Sequence, residues 1–289
     1  MDKAFVVAQC QEGKTDTLKD GLALAAALNM APKVYAYTHA YFSGAEYYNP
    51  RLAGAAKQTL TQQRHDEVAA HLGELGQGDT PLETLWCKRL HEHAIDCAAK
   101  EGYSLIIKGI EGAEAPEPND WHLIRHTRTP LMLLNNNPLA RGRSVLMAVD
   151  LGAQSEDKQL LNRLVLSHGK QLAEAQGLPL HLACVVRVPT ILRDMDLVAP
   201  QEILKAAHDK YQHILQQTGL PAEQIHLVTG SPELCLYQLS SSLKAKYLVL
   251  GARKREGLFG AMIGSTAEAI VHRVRCNLLI LPPDEQWLL

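Results

Sequence analysis

The sequence predicts an α/β protein of two similar halves in tandem, each an open parallel sheet covered by helices on both faces. Three observations carry this. Short, continuous apolar and β-branched runs recur along the chain, as strands buried on both faces do. Helix-length stretches separate them, which argues for βαβ units. The series of the first half then returns in the second, down to matched short segments near its end.

In the first half the strand candidates are Ala4–Ala8, Lys33–Tyr37, Leu82–Cys87, Leu105–Ile107 and Leu131–Leu134. The second half offers Ser144–Val149, Leu180–Val186, Ile225–Thr229, Tyr247–Leu250 and Leu278–Leu281. Helical stretches Asp16–Asn29 and Asp157–Gln176 follow the first strand of each half, and Pro50–Gly76 and Pro200–Thr218 follow the second. Leu123-Ile124-Arg125-His126-Thr127-Arg128 aligns with Ile270-Val271-His272-Arg273-Val274-Arg275, and each runs into a final apolar strand. Between the halves, Asn135-Asn136-Asn137-Pro138-Leu139-Ala140-Arg141-Gly142 is rich in loop formers. The expected domains are 1–137 and 143–289, each of ordinary size at ~140 residues. Each half has one self-complementary edge at its apolar last strand, so the halves are expected to pair about an internal pseudo-twofold.

Composition narrows the function. Of 289 residues, 46% are apolar, enough for a substantial core, and the net charge is −2. A nucleic-acid binder usually shows a basic excess or stripe; none is present. The six cysteines form no CxxC pair, which suits reduced thiols in the cytoplasm. No basic segment followed by an apolar run opens the chain, and no apolar run reaches the ~20 residues of a membrane span. The expectation is a cytoplasmic protein with no membrane partner.

The sharpest motif runs from the strand Leu248-Val249-Leu250 through Gly251, Ala252, Arg253, Lys254 and Arg255 to Gly264-Ser265-Thr266, which opens an expected helix Ala267–Arg275. Backbone N–H groups at a helix start lack intrahelical partners, and the helix dipole adds partial positive charge there. Glycine lets phosphate oxygens approach, and the Ser and Thr hydroxyls and the basic triplet add donors and charge. The loop also follows the carboxyl end of a strand, where open α/β sheets hold ligands. The same residues admit a plainer reading: Ser265 caps the helix in a capping box with Glu268, the glycines serve turns, and the basic triplet is solvated. Asp150, at the end of Ser144–Val149, suits a hydrogen bond to a ribose hydroxyl or an adenine amine; a turn or cap role is the alternative.

The first half supplies an internal comparison. Its loop, Lys108 to Asp120, is shorter and carries Glu111, Glu114, Glu117 and Asp120, with Glu117-Pro118 in place of Gly264-Ser265. These acids repel phosphate, and proline lacks a backbone donor. Cys10 ends the first strand where Asp150 ends its counterpart.

On these residues the chain resembles the universal stress protein family, in its tandem two-domain form, over nearly its whole length. ATP-binding members carry G-x2-G-x9-G-[S/T]; Gly251, Lys254, Gly264 and Ser265 stand at that spacing, with Lys254 in place of the second glycine. The resemblance implies Rossmann-like sheets of the adenine nucleotide alpha hydrolase type, five strands each, paired through the last strand as an intramolecular pseudo-dimer. It implies ATP, with a divalent cation, held by Asp150, Val185 beside the adenine, Gly251, Arg253, Lys254, Gly264, Ser265 and Thr266. Lys254 either clamps a phosphate or fills the pocket.

Other constellations are weaker. His122 and His126 share a helix face at a spacing that suits zinc, but no third ligand completes the set, which favours solvated histidines. Trp86 reads as core. No Ser-His-Asp order, paired carboxylates or Gly-x-x-x-x-Gly-Lys-[Ser/Thr] motif appears, so the chain is not expected to be an enzyme. Two further readings stand beside nucleotide binding. One is a scaffold or small-molecule sensor acting through protein contacts, with further homodimerisation open. The other is a slow ATPase or phosphotransferase relying on Asp150.

Overall fold

In each apolar strand, alternate residues face opposite sides of the sheet, and both sides here are covered. The computed structural model describes residues 1–9, 16–44, 49–110, 118–135, 142–186, 199–252, 255–257, 260–262, 265–271 and 273–289. Within them the first half runs β1 (Lys3–Ala8), α1 (Thr17–Ala27), β2 (Ala31–Thr38), α2 (Pro50–Glu74), β3 (Leu82–Trp86), α3 (Leu90–Glu101), β4 (Leu105–Gly109), α4 (Pro118–His126) and β5 (Leu131–Leu134). The second runs β6 (Ser144–Val149), α5 (Glu156–Gln176), β7 (Leu180–Val186), α6 (Pro200–Gln217), β8 (Ile225–Thr229), α7 (Pro232–Ser242) and β9 (Ala245–Gly251). A small hairpin, β10 (Arg255–Gly257) and β11 (Gly260–Met262), then leads to α8 (Ser265–Val271) and β12 (Asn277–Leu281).

All ten expected strands are present. They form one ten-stranded sheet of order β3-β2-β1-β4-β5-β12-β9-β6-β7-β8. Each half is a parallel five-stranded unit of the same internal order, and the two meet antiparallel where β5 pairs with β12. The seam register sets Met132 opposite Leu279, with Leu131 opposite Ile280 and Leu133 opposite Leu278. Because Met132 and Leu279 hold matching places in their halves, a pseudo-twofold axis passes between them. The two expected sheets are therefore one continuous sheet.

Two apolar cores result, one per face, and each spans both halves. Ala4, Val6 and Ala8 of β1 join Leu279 and Leu281 of β12 under α1, α2, α5 and α6. Phe5 and Val7 join Leu278 and Ile280 on the other face, under α3, α4, α7 and α8. Helix boundaries follow local chemistry. Asp16 accepts from Lys19 N at the start of α1, and Asn49 accepts from Arg51 N and Leu52 N ahead of Pro50. Gly102 and Gly177 end α3 and α5 in the left-handed region. The C-terminal tail returns to the first half, where Trp287 Nε1 donates to Arg128 O at 2.8 Å. No helix among the described residues is long and apolar enough to cross a membrane. The described cysteines are free thiols.

Burial shapes the response to pH. His93, His168, His181 and His226 are all held below the ordinary imidazole range, in each case chiefly by desolvation. The unfolded chain therefore binds more protons than the folded one once pH falls below about 6.5. This contribution is fully present above that pH and is lost as pH falls toward the lower folded values. Thermal melts between about pH 7.5 and about 5 are expected to show a falling Tm. A Tm that rises on acidification contradicts the shift.

Candidate functional site

β9, β6 and β7 lie side by side and parallel, so their carboxyl ends open on one edge. Ala148 pairs with Leu250 and Val149 with Cys184. Gly251, Asp150 and Val185 therefore stand on neighbouring strand ends. From β6 the chain proceeds outward to β7 and β8, whereas β9 and β12 lie on its other side. The crevice between β6 and β9 is thus a topological switch point, where such sheets bind ligands.

Asp150 is held by its backbone. Asn162 of α5 accepts from Asp150 N at 2.9 Å and donates from Nδ2 to Asp150 O at 2.7 Å. This satisfies polar groups that have run past the strand ladder. The carboxylate is left exposed. Its Oδ2 pairs with Lys158 Nζ at 2.8 Å, with side-chain exposures of 55% and 40%, a solvated pair worth ~0–1 kcal/mol. Its Oδ1 accepts no hydrogen bond from a described residue. A β-carbon on Gly152 would stand 3.2 Å from the Tyr211 hydroxyl and 3.5 Å from Asp150 Oδ1, so the glycine keeps open the space that the tyrosine and the acid share. Burial pushes the neighbouring Cys184 thiol up, and the Asp150 charge adds to the shift.

Gly251 has a packing role. A β-carbon there would come within 2.8 Å of Leu161 on α5, so the glycine allows the helix to sit close on the strand. Ala252 N donates to Leu281 O at 2.8 Å, which keeps the strand exit in the sheet.

The loop after β9 is not open along its length. Arg255 pairs with Met262, Glu256 with Ala261 and Gly257 with Gly260 in the β10–β11 hairpin, an element absent from the sequence reading. α8 begins at Ser265, which is its first helical residue and not its cap, and it ends at Val271, short of the expected Arg275. Glu268 Oε1 accepts from Arg125 Nη2 of α4 at 2.8 Å, across the two halves. Arg253, Lys254 and Gly264 lie outside the described residues, as do the side chains of Ser265 and Thr266.

The first half is built differently at the same place. Val6 pairs with Ile107 as Met147 pairs with Val249, which makes Gln9 the counterpart of Asp150, in place of Cys10. Gln9 Oε1 and the Thr17 side chain crowd Gly109 so closely that no β-carbon fits. Asp120 is not a solvated loop acid. It lies in the first turn of α4, and its Oδ1 is 2.7 Å from Lys108 Nζ, with both side chains fully buried. Lys108 Nζ also donates to Gly109 O at 3.0 Å. Strand end and helix start are thus joined by an internal ion pair. Glu111, Glu114 and Glu117 lie outside the described residues.

His122 and His126 are exposed on α4, and His122 stacks on His91 with centroids 4.4 Å apart. His126 Nδ1 bonds its own helix at His122 O. Among the described residues no group of three or more His, Cys, Asp or Glu is arranged to hold a metal. Trp86, read as core, is half-buried and stacks on Phe42 at 5.7 Å. Sequence reasoning missed Asn162, Lys158, Tyr211 and the Lys108–Asp120 pair, because no spacing rule links them to the residues they meet.

The Universal stress protein family profile matches residues 142–282. Universal stress protein E of Escherichia coli K12 is 27% identical over 249 residues, covering 80% of this chain and 78% of that protein. Among solved structures, a functionally unknown protein from Pseudomonas aeruginosa PAO1 superposes with a TM-score of 0.71 at 22% identity, covering 99% of this chain and 94% of that one. A universal stress protein from Archaeoglobus fulgidus superposes with a TM-score of 0.61 at 15% identity, covering 97% and 98%. At these identities the superpositions speak for the fold. The family profile over the second half and the sequence relatives across four-fifths of the chain make this protein similar to the universal stress proteins.

Proposed function

We propose that the chain is a cytoplasmic stress-response protein of two universal stress protein-type domains, residues 1–137 and 143–289, and that the second binds ATP or another adenine nucleotide. The observation that supports it is the convergence of Asp150, Val185 and Gly251 on three neighbouring strand ends at the switch point. The residues fit such a ligand. Asp150 Oδ1 is available to a ribose hydroxyl, and Val185 flanks the space for the base. The phosphates, with any divalent cation, belong at the opening of α8, near Gly264, Ser265 and Thr266, with Arg253 and Lys254 supplying charge. When bound, the nucleotide contributes its anionic phosphates, and the chain contributes position and charge balance.

Calorimetric titration with Mg-ATP tests this. Ser265→Pro is tolerated at a first helical position but removes a hydroxyl and a backbone donor. It is expected to weaken binding about tenfold or more, the worth of one or two charge-assisted hydrogen bonds. Asp150→Ala is expected to act similarly through the ribose. Equal affinity in all three proteins contradicts the assignment. The β10–β11 hairpin, which closes much of the loop on itself, favours a second reading: a scaffold or small-molecule sensor without nucleotide. That reading requires no measurable affinity for ATP, ADP or AMP.

A further inference from the structure

The second helix of each half lies against its outermost strand, and the two halves build that contact differently. α2 ends at Glu74 and β3 begins at Leu82; α6 ends at Gln217 and β8 begins at Ile225, the same interval. Gly76 (φ 68°) and Gly219 (φ 71°) mark the same left-handed turn in both. His65 therefore corresponds to His208, Leu72 to Leu215 and Thr84 to Leu227.

In the first half polar bonds tie the helix down. His65 Nδ1 and Thr84 Oγ1 are bonded at 3.2 Å, Arg64 donates to Ala8 O at 3.2 Å, and His71 meets Asp16 at 2.8 Å. In the second half the Arg64 and His71 positions hold Ala207 and Ile214. Leu227 stands at the place of Thr84, and His208 Nδ1 lies 3.9 Å from Asp209 Oδ1. An open pocket of about 530 Å³ lies between α6 and β8 in this half. That is within the span of small-molecule sites, roughly 300–1,000 Å³.

The lining is two-sided. Leu215, Leu220, Ile225 and Leu227 form an apolar floor and wall, with Leu215 buried and the others half-buried. Exposed Lys205 and His208, with Gln212 and Gln216, form the rim. The rim side chains are cationic or neutral, and no lining residue carries a carboxylate. No described residue pairs with the Lys205 ammonium.

We propose that this cavity binds a linear amphipathic carboxylate, with its alkyl chain on the leucine floor and its carboxylate at Lys205. Apolar burial supplies the attraction for the chain, and the charge-assisted bond to Lys205 selects the head group. The site is separate from the switch-point crevice and does not depend on nucleotide binding.

Octanoate and octylammonium serve as matched probes in calorimetric titrations of the full chain. Saturable octanoate binding is expected, about tenfold or more tighter than octylammonium. Lys205→Glu is expected to weaken octanoate about fivefold or more. Leu227→Thr matches the first half at this position and removes part of the apolar wall, so about tenfold weaker binding is expected. Should that variant unfold, Leu227→Phe fills the same space and carries the same expectation. Absence of saturable octanoate binding to the wild type, equal affinity for the two probes, or unchanged affinity in the folded Leu227 variant overturns the proposal.

Discussion

Asp120→Ala is expected to cost the N-terminal half about 3–5 kcal/mol, because it removes the anionic partner of a fully buried Lys108 ammonium. Lys108→Leu is expected to cost a similar amount by removing the cationic partner of the buried carboxylate. The pair is fully buried with atoms 2.7 Å apart, so solvent cannot screen the loss. The second half carries an apolar pair at these two sequence places, Leu250 for Lys108 and Ala267 for Asp120. The double variant Lys108→Leu/Asp120→Ala installs that solution. It removes both charges together and is expected to recover most of the loss, since apolar replacement of a buried pair is often near neutral. Urea unfolding of the wild type, both single variants and the double variant forms a mutant cycle that reads the coupling directly. A double variant no more stable than either single one contradicts coupling between the two charges. The joint also bears on function. With Lys108 and Asp120 bound to each other and Gln9 over Gly109, the first half uses the groups at this corner on itself.

Leu133→Asp is expected to be at least as damaging, by about 5 kcal/mol. It removes a buried leucine contact, which alone is worth ~2–5 kcal/mol in a core, and it brings an unpaired carboxylate into an apolar layer. Leu133 is inaccessible to solvent and lies opposite Leu278, also inaccessible, across the β5–β12 seam. Because this contact joins the halves, the variant is expected to do more than lower the urea midpoint. It should split the transition and increase proteolytic cleavage between the halves. A single transition at the wild-type midpoint contradicts the seam as an energetic link.

The strands were legible because parallel sheets bury both faces, which leaves unbroken apolar runs such as Leu131–Leu134 and Ser144–Val149. These two bounds needed no revision. Helix ends carrying caps were legible within a few residues, as at Asn49-Pro50. The region between Gly251 and Ser265 was read as a loop because glycines and basic residues there carry no alternation. Its hairpin is held by backbone pairing, which side-chain pattern does not report. Gly251 also has a packing role that the sequence does not report, since Leu161 lies beside it. A partner on a helix distant in sequence leaves no mark next to the glycine. Lys108 and Asp120 were assigned to a repelling loop for the same reason: charge is visible in a sequence, and burial of that charge is a property of the fold. The position of Asp150 just past β6 was legible, because strand ends follow from strand bounds.

The seam has a consequence for how the halves can change over time. In a dimer of identical subunits, one substitution appears on both sides of the twofold axis and must suit itself. Here Met132 faces Leu279, two different residues at one axis, because a single gene encodes both sides. Each half can therefore acquire substitutions the other never sees. Covalent linkage also keeps the partner present at any dilution, at a high effective concentration. A locked Lys108–Asp120 corner in one half and an exposed Asp150 in the other show the kind of division of labour that such freedom permits.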